Sequence, residues 1–180
     1  MNGQALTTRL PNMLRHRRVD RDATRLFDPA ATNPPSAPLP PDEPDWVVPA
    51  STWTAHSEAL RLRRHPVGIQ LSPDDEIAEL AEGRAGTRVI DPRGIAFISV
   101  LFPVYTDGRG FSLAQVLRNE YRWTGEMRAV GDVLIDTVHY LARCGFDSFV
   151  LKAGHDPAQA LEALETFSVN YQRSYSKSDR

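Results

Sequence analysis

From Trp46 onward, apolar and polar positions alternate in blocks that predict strands followed by helices. Trp46-Val47-Val48 is a short apolar run, and Pro49 opens a helical stretch to about Arg63. Val67 to Leu71 reads as a strand. Ser72-Pro73-Asp74-Asp75 then reads as a helix start, with an N-cap serine, a proline at the first helical position and acids in the first turn, and Ile77 and Leu80 supply its apolar face. Ile95 to Phe102 is a nearly unbroken apolar run, as expected of a strand buried on both faces. Ser112 and Gln115 have the spacing of a capping box, and Leu113, Val116, Leu117 and Tyr121 follow at helical spacing. Glu126 to Val130 predicts the next strand. Asp132 predicts a cap for a helix carrying Leu134, Val138 and Leu141, which Gly145 ends in the left-handed conformation. Ser148 to Leu151 predicts the last strand. Asp156-Pro157 opens a final helix with Leu161, Leu164 and Phe167, and the tail after Gln172 is polar.

This alternation predicts an α/β fold: a parallel sheet of four to five strand–helix units joined by right-handed crossovers. A full eight-unit barrel takes about 250 residues, and the chain has 180. The expectation is therefore an open sheet or a TIM-like half-barrel, and dimerisation would be one way to cover the edges that a half-barrel exposes. Three regions follow. Residues 1–44 form an N-terminal extension with a proline-rich linker, expected to be largely disordered or an edge hairpin. Residues 45–172 form one α/β domain, and 173–180 a disordered tail. Within the extension, Met13-Leu14 and Leu26-Phe27 are apolar pairs suited to two short strands, and Arg15-His16-Arg17-Arg18 is a basic cluster.

Composition narrows the function classes. The formal charge of −2 argues against a nucleic-acid surface. No apolar run is long enough to span a bilayer, and no secretory leader is evident. The single cysteine, Cys144, precludes an intrachain disulfide and a cysteine-only metal cage, and it reads as a buried, inert thiol. The five histidines lack zinc-site spacing, so no metal site and no cofactor motif is evident. A cytoplasmic protein is expected.

In parallel α/β sheets, ligands lie beyond the carboxyl ends of the strands. Ser72 to Asp75, Tyr105 to Ser112, Gly131-Asp132 and Lys152 to Asp156 are expected there, on one shared edge. The stretch Thr106-Asp107-Gly108-Arg109-Gly110-Phe111-Ser112 is the strongest candidate anion site: two glycines flank an arginine just before a helix N-terminus. The competing reading is a tight turn needing positive φ. Arg128, inside a short strand, is either half of an internal ion pair with Asp107, Glu126 or Asp132, or a second anion contact beside Arg109. Asp107 and Asp132 are the candidate general bases, and Asp132 reads most simply as a cap. Lys152 and His155 read as solvated loop residues.

Longer words carry a resemblance. Phe102-Pro103-Val104-Tyr105-Thr106-Asp107-Gly108-Arg109-Gly110-Phe111-Ser112, then Leu117-Arg118, then Gly125-Glu126-Met127-Arg128-Ala129-Val130-Gly131-Asp132-Val133-Leu134, then Arg143-Cys144-Gly145-Phe146-Asp147 resemble the bacterial domain-of-unknown-function family 934, over roughly Trp46 to Gln172. The family often reads Phe-Pro-Lys-Phe where this chain has Phe102-Pro103-Val104-Tyr105, so a role for that lysine does not carry over. The resemblance implies a role beside the sulfite reductase haemoprotein in sulfur assimilation, under a label of oxidoreductase, with no established catalytic residues. Three functions stay open: an accessory protein of assimilatory sulfite reduction with an anion-binding edge at Arg109 and Arg128; a small enzyme acting on a phosphorylated or carboxylated metabolite; and a non-catalytic interaction module.

Overall fold

The computed structural model describes residues 12–30, 38–84 and 87–166. Three short strands come first: β1 (Met13–Arg15), β2 (Arg18–Asp20) and β3 (Arg25–Leu26). Then follow β4 (Trp46–Pro49), α1 (Ala50–Arg61), β5 (Val67–Leu71), a 3₁₀ turn (Ile77–Leu80), β6 (Glu82–Arg84) and β7 (Thr87–Val89). The second half is β8 (Ile95–Phe102), α2 (Arg109–Asn119), β9 (Glu126–Gly131), α3 (Ile135–Cys144), β10 (Ser148–Val150) and α4 (Pro157–Thr166). Phe167, the segment 31–37 and the tail after Gln172 lie outside the described residues. No described helix is long and apolar enough to cross a membrane.

Eight strands form one sheet in the order β2-β1-β10-β9-β8-β5-β4-β3, while β6 and β7 make a separate hairpin. From β3 to β10 all pairings are parallel, and each strand joins the outer side of the one before it. This is the winding of a barrel, with no reversal of strand order. The α/β class therefore holds, but the sheet is not purely parallel. β1 runs antiparallel to both β10 and β2, through a two-residue turn in which His16 and Arg17 both have positive φ (49° and 58°). That is the hairpin turn whose twist matches its flanking strands. The TIM-like expectation accordingly gives way to a mixed sheet.

The sheet must curl strongly. β2 and β3 are its two outer strands, yet only residues 21–24 separate Asp20 from Arg25. That connection spans at most about 18 Å, whereas a flat eight-stranded sheet would hold its edges about 33 Å apart. Residues 21–24 thus form a strap across the open side of a half-barrel.

Register sorts the two faces. The row Leu71–Val100–Ala129–Phe149–Leu14 lies on the face toward the helices, where Phe102 meets Phe111 of α2. All five are buried and belong to the main core. The adjacent row Gln70–Ser99–Arg128–Ser148–Arg15 points into the concave side.

Three predicted helix starts move. No helix begins at Ser72: the Asp75 carboxylate accepts the Ser72 N–H (2.7 Å), so the segment closes into a turn and then the 3₁₀ turn. α2 begins at Arg109, four residues earlier than a start after Ser112, and the Asp107 carboxylate accepts the Arg109 N–H (3.0 Å) as the helix opens. α3 begins after Leu134, not Asp132. Gly145 ends α3 at φ 109°, as expected.

Candidate functional site

The carboxyl ends of β5, β8, β9 and β10 open onto one edge, and side chains stitch its loops together. Arg109, from the β8–α2 loop, bonds both Asp107 beside it and Asp74 from the β5 loop. The backbone N–H of Tyr105 donates to Asp132 Oδ2 (3.0 Å), which joins the β8 and β9 loops. Lys152 Nζ lies 2.6 Å from Asp132 Oδ1, which joins the β10 loop. All four segments expected at this edge are therefore contiguous.

The individual roles are plainer than the anion reading. Neither glycine of the Asp107–Gly110 stretch has positive φ. Gly108 has open space where a Cβ would stand. Gly110 is buried, and a Cβ there would lie 2.5 Å from the Phe102 ring, so this glycine lets α2 pack closely on β8. Thr106 and Ser112 are exposed. The Arg109 guanidinium is half exposed but already faces two carboxylates, and an incoming anion would add a third negative charge or displace one of them.

Asp107 and Asp132 are held ionised. The Arg109 side chain, then its backbone N–H, keeps Asp107 below its ordinary range. The Lys152 ammonium, then the Tyr105 N–H, does the same for Asp132. A lowered pKa makes each a weaker base at neutral pH.

Arg128 is placed elsewhere. It is 3% exposed on the concave side of the sheet, and its partners are Glu126 (2.8 Å), Asp22 of the strap (3.3 Å) and the Phe97 ring, 3.7 Å below its guanidinium carbon. Of the three partners expected for it, Glu126 is the one it meets. Glu126 in turn accepts from Ser148 Oγ (2.7 Å) and Arg15 (2.8 Å). Burial raises the pKa of Glu126, but the Ser148 hydroxyl and the Arg128 and Arg15 guanidiniums outweigh it and hold the carboxyl below its ordinary range. Arg109 and Arg128 thus serve separate clusters and do not converge on one anion.

Several contributors had no signal in local sequence. Asp22, 106 positions from Arg128, reaches it only because the strap crosses the curled sheet. Arg118 clamps carbonyls of Trp123, Gly125 and Gly145 and pairs with Asp147 (2.6 Å), which also accepts the Met127 N–H. Val104 and Tyr105 are about half exposed at the edge. Cys144 is buried, with Gln115 Nε2 3.8 Å from its sulfur. Among the described residues no group of three or more His, Cys, Asp or Glu side chains is placed to hold a metal ion.

Fold and edge together define an α/β half-barrel whose carboxyl edge is bridged by internal ion pairs. The chain belongs to the family described as "Bacterial protein of unknown function (DUF934)", whose model matches residues 68–179. No curated protein and no solved structure matches it. Much of what carries the likeness has a structural account here: Arg118, Gly125, Gly145 and Asp147 form one clamp, and Glu126 and Arg128 one buried pair.

Proposed function

We propose that this chain is a cytoplasmic accessory protein of assimilatory sulfite reduction that acts with the sulfite reductase haemoprotein, and that it works by contact through the carboxyl edge of its sheet. One observation carries the contact role. The edge neutralises both its cations internally while it leaves Val104 and Tyr105 exposed. Such a surface offers area and shape to a partner, with little free positive charge for a small oxyanion. The sulfur context rests on the family resemblance in the words from Phe102 to Asp147. Copurification of the tagged chain with the haemoprotein, together with slowed growth on sulfite after deletion, is the expected result. Unchanged sulfite reduction and cysteine-independent growth in the deletion strain would sink the proposal.

A further inference from the structure

We infer that the carboxyl edge docks a lysine- and arginine-rich protein surface, with the exposed Val104 and Tyr105 at its centre and carboxylates around them. The inference rests on the contact role proposed above and names the chemistry of the partner.

Charge comes first. The segments 72–76, 103–109, 131–136 and 152–156 carry seven carboxylates and two cations, a formal charge of −5 on a chain whose total is −2. Both cations are already matched, Arg109 by Asp74 and Asp107, Lys152 by Asp132. Glu76 and Asp136 are exposed, so the field outside this edge is negative. An anionic metabolite or a nucleic-acid backbone would be repelled, and a basic protein surface attracted.

The apolar component is the independent observation. Val104 is 51% exposed and Tyr105 53%. Their loop is not loose: Tyr105 N–H is tied to Asp132, and Asp107 N–H to the Val104 carbonyl (3.0 Å). A second exposed ring, Tyr140 of α3, stacks edge-on with Phe111 of α2 at 5.2 Å, and Phe111 with buried Phe102 at the same distance. The aromatic surface beside the edge is thus braced from the core. Held aromatic rings lose little entropy on binding and are the common anchors of protein contacts. Tyrosine faces beside carboxylates suit arginine and lysine in particular, which can stack on the ring and pair with the acid.

The test uses the full chain and two probes: the haemoprotein, and a peptide of alternating lysine and leucine. Tyr105→Ala and the double variant Glu76→Gln/Asp136→Asn are compared with wild type by calorimetric titration at low and high salt. Neither variant removes a core contact or a described ion pair. The expected result is binding weakened about tenfold in each variant and weakened by salt in wild type. If wild type binds the haemoprotein and both variants match it, the docking inference is overturned while the accessory role stands. If the haemoprotein does not bind but the peptide does, with the variant losses, the accessory role fails and the docking chemistry stands. Binding of neither probe overturns the inference. So does self-association that both variants abolish, because the occupant would then be a second copy.

Discussion

Arg109 and Arg128 sit in two clusters built to one recipe with opposite surroundings. Each arginine follows an acid by two positions, Asp107 and Glu126, and each recruits a second aspartate from far away, Asp74 and Asp22. Arg109 stands in solvent with its side chain 55% exposed; Arg128 is sealed on the concave side of the sheet. Exposed pairs gain little, because water screens them and long side chains resist ordering. Buried pairs cost a great deal to break, because the survivor is left charged and undersolvated. The same local pattern therefore marks a structural clasp in one place and a surface feature in the other, and burial alone decides which.

The largest expected effect is on the clasp. Arg128→Met removes the cation facing Glu126 and Asp22 and the charge above Phe97. A loss of about 3–5 kcal/mol is expected from urea unfolding. An unchanged urea slope would show that stability changed and not the unfolded chain. A loss under about 1 kcal/mol would break the comparison, since the buried cluster would then behave like an exposed one.

Glu126→Gln is next, costing about 1–3 kcal/mol near neutral pH through loss of charge-assisted bonds to Arg128, Arg15 and Ser148. Its pH dependence sharpens the point. The native carboxyl of Glu126 is held below its ordinary value of 4.5. Its stabilisation is therefore fully present above that value and is lost as pH falls through the native pKa. Wild type and Glu126→Gln should begin to converge in stability as pH falls below 4.5 and should meet once pH is below the native pKa, and parallel curves down to low pH would contradict the assignment.

Asp22→Asn is expected to cost less, about 1–2 kcal/mol. Asp22 also accepts from the Thr24 N–H and hydroxyl, which asparagine can keep. The distinctive readout is local: amide exchange should quicken across residues 21–24 and at β2 and β3 while the β8–β9 core stays protected. Uniform protection would show that the strap does not depend on this ion pair.

How much of this was legible in the sequence follows from range. β4, β5, β8 and β10 announce themselves as largely apolar runs, and the left-handed end of α3 as Gly145, because each depends on neighbours in the chain. The meeting of four loops at one edge was legible too, as a consequence of parallel strands with helical crossovers. The antiparallel join of β1 to β10 was not: three residues carry too little pattern to show a direction. The helix expected at Ser72 misled because its local start signals are present, down to the Asp75 carboxylate on the Ser72 N–H, yet the chain continues only into a 3₁₀ turn. Glycine misled for a related reason. Gly110 sits in an anion-loop spacing, but what requires it is the Phe102 ring eight positions back in the chain. Which carboxylate each arginine meets is a long-range fact, fixed by the curl of the sheet and the strap across it.

Arg109→Ala is the smallest effect and the sharpest control. Its partners Asp74 and Asp107 differ in exposure, but the arginine itself is open to solvent. Removing it should leave unfolding stability nearly unchanged, because water screens the pairs it makes. Asp107 keeps its bond to the backbone N–H of residue 109, so the start of α2 survives. A thermal-shift titration with sulfite, sulfate and phosphate completes the argument. With both carboxylates in place, neither wild type nor Arg109→Ala should show a saturable rise in melting temperature. The double variant Asp74→Asn/Asp107→Asn exposes a free guanidinium at a helix N-terminus, and there an anion-dependent rise is expected. A saturable rise in wild type that disappears in Arg109→Ala would reverse the reading: the carboxylates would then be a gate that an anion displaces, and the edge a ligand site.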